Sequence, residues 1–444
     1  MPAPIETRAP GPPTARAAAL WSDLADLLSS DARLSAFARR AAWVLVPFGL
    51  AMVLLVYGTG PEPQRNWYGD PLGNDFVQVW VAGRSALAGR GAEPYDLPVH
   101  LANLKAACGQ ECRFAWHYPP VFLLPAAAMA LLDLRPAYLL WTALSLALFA
   151  LAMRVAAGRR DAAVVALAHP LVLGNLAYGQ NGLFTASLLT LGAVLADRRP
   201  WLAGLCFGLL AYKPHFAALA PLLLLVTGRR DCLAACVSTV LALCLASLAL
   251  FGTAPWIGFF GTLGDTNRII LQNAAAGLDL NASAFGAVRL LGGSMAVAWT
   301  AQGIVAALAL GLACRAWCRP TDPTLRAAAL VVSAPLLSPY LPVYDLAPLV
   351  PAALLLALAA HQAGGLRPHE RALLCAVPLF AVVREAAGLT GFPLGLVLSL
   401  ATFACVAGRV RPWSAAPGRQ PSGTGGVDVR TLTAPAAAGS GTAA

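Results

Sequence analysis

Long apolar runs separated by short arginine clusters constrain this chain more than any other feature. Hydrophobic residues make up 58% of its 444 residues and charged residues only 12%, whereas soluble domains carry about 25% charged residues. A soluble fold cannot hide so much apolar surface, because a globular surface must still meet water. The pattern predicts an all-α polytopic membrane protein and excludes soluble enzymes, secreted disulfide scaffolds and disordered chains.

The basic charge follows a membrane pattern rather than a nucleic-acid surface. All but two of the 31 basic residues are arginines, and most of them stand between apolar runs, as is typical of cytoplasmic loops. The net charge of +10 therefore indicates orientation, and we expect no nucleic-acid partner. The two lysines, Lys105 and Lys213, stand apart from this pattern.

The apolar runs predict a bundle of about 10–13 membrane helices, including short or re-entrant ones, since a full span needs about 20 residues. The predicted spans are 42–58, 136–155, 161–178, 181–196, 231–252, 295–317, 326–340, 343–360, 371–388 and 390–408.

Two further segments are apolar but poorly suited to simple spans. Residues 119–133 are short and begin with Pro-Pro, and residues 201–226 have Lys213-Pro214 at their centre. If 119–133 dips into the membrane and returns, all later arginine clusters fall on the cytoplasmic side. We therefore predict a half-length or re-entrant 119–133 and two short helices that meet near Lys213. Such breaks occur where they line protein or a watery cavity.

The same topology predicts three parts of the chain. Residues 1–41 form a cytoplasmic segment with a membrane-surface helix, residues 42–410 the membrane domain, and residues 411–444 a disordered cytoplasmic tail. Residues 59–118 are the external loop. We expect one outward-facing site, because the polar residues of this loop, of 253–290 and of the turns near 180 and 340 gather on the same side.

Asp75 is the first candidate for chemistry in this external loop. With Asn74 it precedes an amphipathic run that predicts a helix. Asn or Asp at such a position often caps the helix by accepting backbone hydrogen bonds. A carboxylate at the membrane surface can also accept a proton from an attacking hydroxyl. Both interpretations stay open from the residues alone.

Aromatic and amide residues supply the next candidates. His117 and Tyr118 belong to a Trp-His-Tyr-Pro-Pro stretch, which suits an interfacial aromatic belt or, for His117, a ligand or proton carrier. Gln180 and Asn181 stand in a Gly-rich stretch that is typical of a tight helix–helix turn, and the Gln180 amide could also bind sugar hydroxyls. No His or carboxylate spacing matches a metal site, so we expect no metal.

Lys213 is the strongest candidate for an anion-binding group. A lysine in an apolar segment is costly and therefore a functional suspect, although its side chain can also reach an interface. His215 lies beside it. Asp345 could pair with Lys213, Arg268 or Arg289, or cap the following helix. Arg268 and Arg289 lie in and just after the predicted external loop, whereas most arginines of the chain are predicted to be cytoplasmic. Their external position favours an anionic partner.

Several short stretches together resemble glycosyltransferase family 87, a family of polytopic enzymes in the GT-C superfamily. They occur in family order and lie at residues 75–83, 94–96, 118–120, 178–182, 202–214 and 338–345. Family members often carry a His in the last stretch, where this chain has Tyr344-Asp345. The resemblance therefore specifies the superfamily more firmly than the sugar or the acceptor.

The resemblance implies a GT-C-like fold and a defined reaction. A hexose, typically mannose, would pass from a polyprenyl-phosphate donor to a lipid-linked or glycan acceptor at the outer face of the cell membrane, without a cofactor. Asp75 matches the catalytic base. For this reaction we assign Lys213, Arg268 and Arg289 to the donor phosphate, because their positive charges suit an anion. The sugar- or acceptor-binding residues would be Asn74, His117, Tyr118, Gln180, Asn181, His215, Tyr344 and Asp345.

Two other functions compete with this one. A transporter or flippase of a lipid-linked sugar would share the spans and the buried cation, but it predicts internal repeat symmetry, which the sequence does not show. A membrane assembly partner is a third possibility. Cys108 and Cys112 stand close enough in the external loop for a local disulfide, although a pair of free thiols on a helix fits equally well.

Overall fold

All regular secondary structure in the described part of the chain is helical. The structure is a computed structural model and describes residues 30–112, 114–266, 271 and 277–410. Within these ranges strand pairing is limited to two isolated bridges, Arg65–Pro71 and Asn281–Pro342. The predicted all-α class is confirmed. Most of the predicted surface helix and the C-terminal tail lie outside the described residues.

The N-terminal part consists of one long helix, two loop helices and one short apolar helix: α1 (Asp31–Gly58), α2 (Phe76–Leu87), α3 (Leu97–Cys108) and α4 (Leu123–Ala130). Residues 31–41 continue directly into the predicted span 42–58. The apolar helical segment Pro120–Ala130 covers roughly 16 Å at 1.5 Å per residue, about half of a ~30 Å hydrocarbon core. The predicted half-length element is therefore present. Cys108 and Cys112 are joined by a disulfide.

The next four helices are α5 (Leu134–Ala157), α6 (Arg160–Leu167), α7 (Pro170–Ala177) and α8 (Gly182–Leu195). The predicted span 161–178 is thus two short helices. They break at His169, which precedes Pro170 and has an extended ψ of 134°, because a residue before proline is excluded from the α conformation.

A second proline break divides the segment that follows. The helices are α9 (Pro200–Leu209), α10 (Pro214–Ala217) and α11 (Leu219–Val226), with a 3₁₀ turn at Leu210–Tyr212. Lys213 lies between them with φ −126° and ψ 77°, as expected for the residue before a proline. The predicted meeting of two short helical segments at Lys213 is confirmed.

The C-terminal half contributes α12 (Arg230–Phe251), α13 (Ala254–Thr266), α14 (Ala284–Leu290), α15 (Met295–Cys318), α16 (Pro323–Leu336), α17 (Leu349–Gln362), α18 (Pro368–Cys375), α19 (Val383–Thr390) and α20 (Leu394–Ala407). Helices α13 and α14 lie in 253–290, where the sequence predicted only a loop. The predicted span 371–388 is bent by 43° between Pro368–Cys375 and Val377–Thr390.

The chain is a multi-pass membrane protein. Five described helices are long and apolar enough to cross a membrane, and the bent pair gives a sixth. Six shorter apolar helices accompany them. Helices α8 and α16 are buried along most of their length, whereas α1 and α12 expose large apolar side chains such as Phe48, Leu55 and Leu245. The two buried helices therefore form the centre of the bundle.

Ion pairs tie the helices together at the end where α1 begins. Asp31 at the start of α1 pairs with Arg371 at 2.6 Å, and buried Glu370 pairs with Arg409 at 2.5 Å. The 28 residues of α1 extend about 40 Å. The C-terminal end of α1 therefore lies far from this cluster, and it contacts the loop that contains Asp75, because Gly73 N–H donates to the Tyr57 carbonyl at 3.2 Å.

The central helix α8 also ends in an ion-pair cluster. Asp197 follows the helix and pairs with Arg229 and Arg326. Both guanidinium groups lie 5.3 Å from the centre of the Trp317 ring, which adds cation–π contacts. The N-terminal end of α8, at Gly182, lies instead against the backbone of Tyr344.

Candidate functional site

Two residues in a left-handed turn place Asp75 at the start of α2. Gly73 has φ +70° and Asn74 has φ +53°, a conformation that favours glycine and tolerates asparagine. A Cβ on Gly73 would lie 2.7 Å from the Tyr138 ring. Asp75 itself has helical dihedral angles, and its side chain makes no capping hydrogen bond. The helix-cap alternative is therefore not realised in the structure.

The Asp75 carboxylate instead faces the turn before α8. Gln180 Nε2 donates to Asp75 Oδ2 at 2.6 Å. Gln180 Oε1 accepts a hydrogen bond from the Tyr118 hydroxyl at 3.4 Å, so the amide is fixed at both ends with its NH₂ toward the carboxylate. Three of the predicted site residues thus form one connected chain, from Tyr118 through Gln180 to Asp75.

A glycine contact locks the Asp75 turn against the Gln180 turn. Gly179 has φ +63°, and a Cβ there would lie 2.1 Å from the Gly73 carbonyl oxygen. The Asp75 N–H donates to the Tyr178 carbonyl at 3.1 Å. No larger side chain fits at Gly179, because the two backbones are already in contact. The glycine is required for the approach of Gln180 to Asp75.

Asn181 and Tyr118 extend the site toward the centre of the bundle. Asn181 Nδ2 donates to the Tyr118 hydroxyl at 2.8 Å, and the Tyr118 ring packs on Phe122 with centroids 4.4 Å apart. Asn181 is only 1% exposed, and its Oδ1 has no hydrogen-bond partner among the described residues. Buried polar atoms are nearly always paired. This oxygen is therefore an unusual buried acceptor without a donor in the described part of the chain.

Burial gives Asp75 an unusual proton affinity. It raises the pKa of the carboxyl to about 6, against the opposing effects of the Gln180 hydrogen bond and the Arg384 charge. No described side chain forms an ion pair with Asp75. A carboxylate with this pKa is still ionised at neutral pH but binds a proton far more readily than an exposed aspartate. It has the properties of a general base.

His117 lies near this group but is not a cation at neutral pH. Burial lowers its pKa to about 4, so the imidazole stays neutral. The same holds for His100, which packs against Trp116 with ring centroids 6.4 Å apart. Neutral histidines contribute hydrogen-bonding atoms to the site rather than charge.

Lys213 and Asp345 form a buried ion pair. Lys213 Nζ lies 2.5 Å from Asp345 Oδ1, and the two side chains are 5% and 4% exposed. Of the three cations proposed as partners of Asp345, the structure selects Lys213. The ammonium group also lies 5.7 Å from the centre of the Phe216 ring. The lysine is therefore neutralised within the protein, as a buried charge requires.

The Asp345 segment adjoins the same turn as Asp75. Asn175 Nδ2 donates to the Tyr344 carbonyl at 3.0 Å, and the Tyr344 ring lies 5.6 Å from that of Tyr178. Burial and the charges of Asp345 and, more weakly, Asp75 raise the pKa of Tyr118 well above its usual value. Tyr118 is thus close to both carboxylates.

The remaining predicted site residues are not joined to this group. Arg268 lies outside the described residues. Arg289 donates to the Gly293 carbonyl at 2.9 Å, four residues away on its own turn. His215 is exposed and its ring lies 4.8 Å from that of Phe216. Among the described contacts, none connects Arg289 or His215 to Asp75 or Gln180.

Arg384 is a site residue that the sequence analysis missed. Its NH1 donates to the Tyr178 hydroxyl at 3.0 Å, and its Nε donates to Asp279 Oδ2 at 3.0 Å. With Asn74, Tyr178 and Tyr344 it lines a cavity of about 330 Å³. An arginine inside the apolar run 371–388 was the available signal, since charged residues within such runs are costly and functional.

The described residues offer no obvious metal centre. Within those ranges, no group of three or more His, Cys, Asp or Glu side chains is placed to hold a metal ion. The chemistry that the site itself offers is therefore proton transfer and hydrogen bonding. That the reaction needs no metal stays a prediction.

Comparison with known proteins identifies one match. The family model described as glycosyltransferase family 87 matches residues 116–339, just over half of the chain. The match includes Tyr118, the Gln180 turn and Lys213, and it ends before Tyr344-Asp345 and begins after Asp75. No curated protein and no solved structure matches the chain.

Proposed function

We propose that this chain, which belongs to glycosyltransferase family 87, transfers a hexose from a polyprenyl-phosphate donor to a hydroxyl group, with Asp75 as the base. Membership of the family makes the chain a membrane glycosyltransferase rather than a flippase. The resemblance favours mannose as the sugar and a lipid-linked or glycan hydroxyl as the acceptor. The contact between Asp75 and Gln180 is the observation that supports the catalytic assignment.

Asp75 suits the role of base because its carboxylate accepts only one hydrogen bond from the described residues and keeps further acceptor capacity for a substrate. One oxygen, Oδ2, accepts from Gln180, and the side chain makes no capping bond. An ion pair would hold the proton affinity low, but none is formed with a described residue. The Gln180 amide orients the carboxylate and leaves it with a pKa near 6, so it can take a proton at neutral pH.

The proposed step is a single displacement. The acceptor O–H gives its proton to Asp75, and the acceptor oxygen forms a bond to the anomeric carbon of the donor sugar. The bond from that carbon to the phosphate oxygen breaks, and its electron pair leaves with the polyprenyl phosphate. Because the transition state resembles an oxocarbenium ion, the reacting carbon must be protected from water. A single displacement inverts the anomeric configuration.

We assign Lys213 to the donor phosphate. Its ion pair with Asp345 supplies an anion that the phosphate replaces on binding, and Asp345 then turns to the hydroxyl groups around it. The exchange keeps a counter-anion beside the buried ammonium group, while Asp345 gives up its cation and depends on those hydroxyl groups for stabilisation. Arg268 and Arg289, the other proposed phosphate residues, receive no support from the described contacts.

The roles of the other predicted residues follow from their hydrogen-bonding capacity. Asn181 Oδ1 is an unused acceptor, and Tyr118 donates toward Gln180; both can bind hydroxyls of the transferred sugar. Asn74 and Tyr344 line the neighbouring cavity and belong to the acceptor side. His117 supplies a neutral ring. His215 is the least supported, because no described hydrogen bond joins its ring to these groups.

We also propose that the site opens to the outer face of the cell membrane, with residues 1–41 and 411–444 in the cytoplasm. The ion-pair clusters at Asp31 and Asp197 lie at the opposite ends of α1 and α8 from the Asp75 turn, and they contain the arginines expected on the cytoplasmic side. Single-cysteine labelling tests this: a reporter at Tyr344 should react from outside and one at Arg230 only after permeabilisation.

An activity assay tests the transfer directly. The purified protein in lipid nanodiscs is incubated with polyprenyl-phosphate mannose, polyprenyl-phosphate glucose or a nucleotide sugar, and the release of polyprenyl phosphate is followed. We expect release from a polyprenyl-phosphate hexose and none from the nucleotide sugar. Use of the nucleotide sugar alone would contradict the assigned donor.

A further inference from the structure

A cavity between α2 and α3 has no role in the proposed reaction. It lies within residues 59–118, the proposed external loop, and measures about 460 Å³, inside the range of small-molecule sites of ~300–1,000 Å³. Apolar side chains such as Trp80, Leu87 and Ala106 form much of its wall, and two arginines, Arg84 and Arg90, add positive charge. A cavity of this composition suits a ligand that is both anionic and apolar.

Arg84 is the first of the two cations, and no carboxylate of the described residues pairs with it. Its side chain is exposed, and its guanidinium carbon lies 5.5 Å from the centre of the Trp80 ring. The cation–π contact holds the guanidinium at the cavity wall but leaves its charge uncompensated. Its N–H donors are therefore open to an anionic ligand.

Arg90 is the second cation, and it is held by a carboxylate that other groups also bind. Arg90 Nε lies 2.8 Å from Glu93 Oε1. The other oxygen, Glu93 Oε2, accepts from the Ser85 hydroxyl and from Asn103 Nδ2, both at 3.0 Å. Glu93 can neutralise only one of the two arginines, so these groups together leave positive charge in excess at the cavity.

The surface beside the cavity is apolar where the half-length helix α4 ends. Trp80 Nε1 donates to the Leu132 carbonyl at 2.9 Å, which ties α2 to the end of α4. Leu131 and Leu132 are 73% and 39% exposed, and Leu87 on α2 is 47% exposed. An exposed apolar patch marks a membrane contact, and tryptophan is enriched at the membrane–water interface. The cavity therefore opens where lipid headgroups lie.

The distance from Asp75 separates this cavity from the proposed donor site. Arg84 follows Asp75 by nine residues of α2 and its N-cap, which is roughly 13 Å along the helix and about half a turn around it. In a polyprenyl-phosphate sugar, a single oxygen joins the phosphorus to the anomeric carbon, which must react beside the base. A phosphate at Arg84 therefore belongs to a molecule other than the reacting donor.

From the uncompensated arginine, the apolar wall and the position at the interface, we propose that the cavity binds the phosphate group of an anionic phospholipid of the bilayer. Arg84 and Arg90 donate to the phosphate oxygens, as guanidinium groups do with paired N–H donors. The acyl chains pass over Leu87 and Leu131 into the membrane. The bound lipid fastens α2, at whose start Asp75 stands, to the membrane surface. Its binding needs no sugar donor and is independent of the proposed transfer.

Lipid titration of the full chain in detergent tests the site, with the tightest bound lipid followed by native mass spectrometry. We expect phosphatidylglycerol to bind about tenfold more tightly than phosphatidylcholine, whose choline group cancels the phosphate charge. Arg84→Gln should weaken phosphatidylglycerol binding about tenfold, since hydrogen bonds between charged groups are the stronger ones. Arg84→Lys keeps the charge and should retain part of the affinity. Inorganic phosphate at the same concentration should not displace the lipid, because it lacks the acyl chains.

The matched control is Arg198→Gln, which removes another exposed arginine, in the turn after α8 and outside this cavity. It should bind phosphatidylglycerol like the parent. Unchanged phosphatidylglycerol binding by Arg84→Gln would overturn the proposal, and displacement of the lipid by inorganic phosphate would show a free-phosphate site instead. Tighter binding of polyprenyl phosphate than of phosphatidylglycerol, together with a raised donor KM in Arg84→Gln, would also overturn it, because the cavity would then belong to the donor.

Discussion

Asp75 and Asp345 are two aspartates close to the same tyrosine, and their surroundings differ in one respect. Asp345 is held by a cation, Lys213, at 2.5 Å, whereas Asp75 is held by a neutral amide, that of Gln180, at 2.6 Å. An adjacent cation stabilises the ionised carboxylate, and burial without one destabilises it. The partner, rather than the residue type, therefore distinguishes the two aspartates, and it is the reason we propose Asp75 rather than Asp345 as the base.

The same contrast separates Asp75 from the carboxylates at the other ends of α1 and α8. The clusters at Asp31, Asp197 and Glu370 pair every one of these carboxylates with arginine, as the Lys213–Asp345 pair does inside the bundle. Asp75 departs from this pattern within the described part of the chain. A carboxylate whose pKa is raised by burial, in a group of polar side chains, is a candidate for a functional site.

The strongest test of the comparison is to remove the ionisable group of Asp75. Asp75→Asn keeps the shape but cannot accept a proton, and we expect kcat to fall by at least about 100-fold, the lower range for general bases, with unchanged thermal stability. The control is Asp96→Asn in the same loop: Asp96 caps α3 by accepting from Val99 N–H at 3.2 Å, and Asn caps as well as Asp. Appreciable turnover by Asp75→Asn would make Asp345 or another group the base.

Removing the cation tests the other aspartate. Lys213→Gln leaves Asp345 buried and unpaired, which should cost about 3–5 kcal/mol of stability and raise the donor KM strongly. Adding Asp345→Asn should restore most of the stability, measured by thermal unfolding in nanodiscs, but not the donor affinity. Lys213→Arg should be partly tolerated, because arginine also binds phosphate.

If the double variant recovered both stability and donor affinity, Lys213 would be a structural partner of Asp345 only. The same conclusion would follow if Lys213→Gln lost stability but kept the donor KM of the parent. In either case the phosphate site would have to be sought elsewhere.

A smaller effect is expected from the partner of Asp75. With a pKa of about 6, Asp75 is protonated and inactive below that pH, so kcat/KM should fall on the acid side with an apparent pKa near 6. Gln180→Leu removes a hydrogen bond that stabilises the carboxylate anion, and the apparent pKa should move upward. Thr300→Val, on the exposed face of α15, should leave the profile unchanged. A profile that stays flat to pH 5 in the parent would exclude the raised pKa.

The local features of this structure could be read from the sequence because they depend on neighbouring residues. The break at Lys213 follows from Pro214, and the short apolar segment after Tyr118 follows from its length and its two prolines. The helix after Asp75 follows from its amphipathic period. Each of these needs only a few adjacent residues to be specified.

The pairings across the chain could not be read in this way. Arg384 and Tyr178 are separated by 206 residues and Arg384 and Asp279 by 105, and no periodicity connects them. Sequence reasoning weighed three cations as partners of Asp345 for the same reason. The helices α13 and α14 were missed because they lie in a region whose polar residues favoured a loop. Side-chain contacts between residues far apart in the sequence depend on how the helices pack, and they can be identified only once the fold is known.

The arginine cluster at the start of α1 has a consequence for synthesis and insertion of the chain. Asp31 is made among the first residues, but its partner Arg371 follows 340 residues later, which at about 5–20 residues per second takes a ribosome roughly 20 to 70 s. Throughout that interval the first helix is in the bilayer without its closing contact. The first helix can pack early against α6 and α7, but the ion pair that ties its start to the C-terminal part of the bundle forms only after α18 has been made.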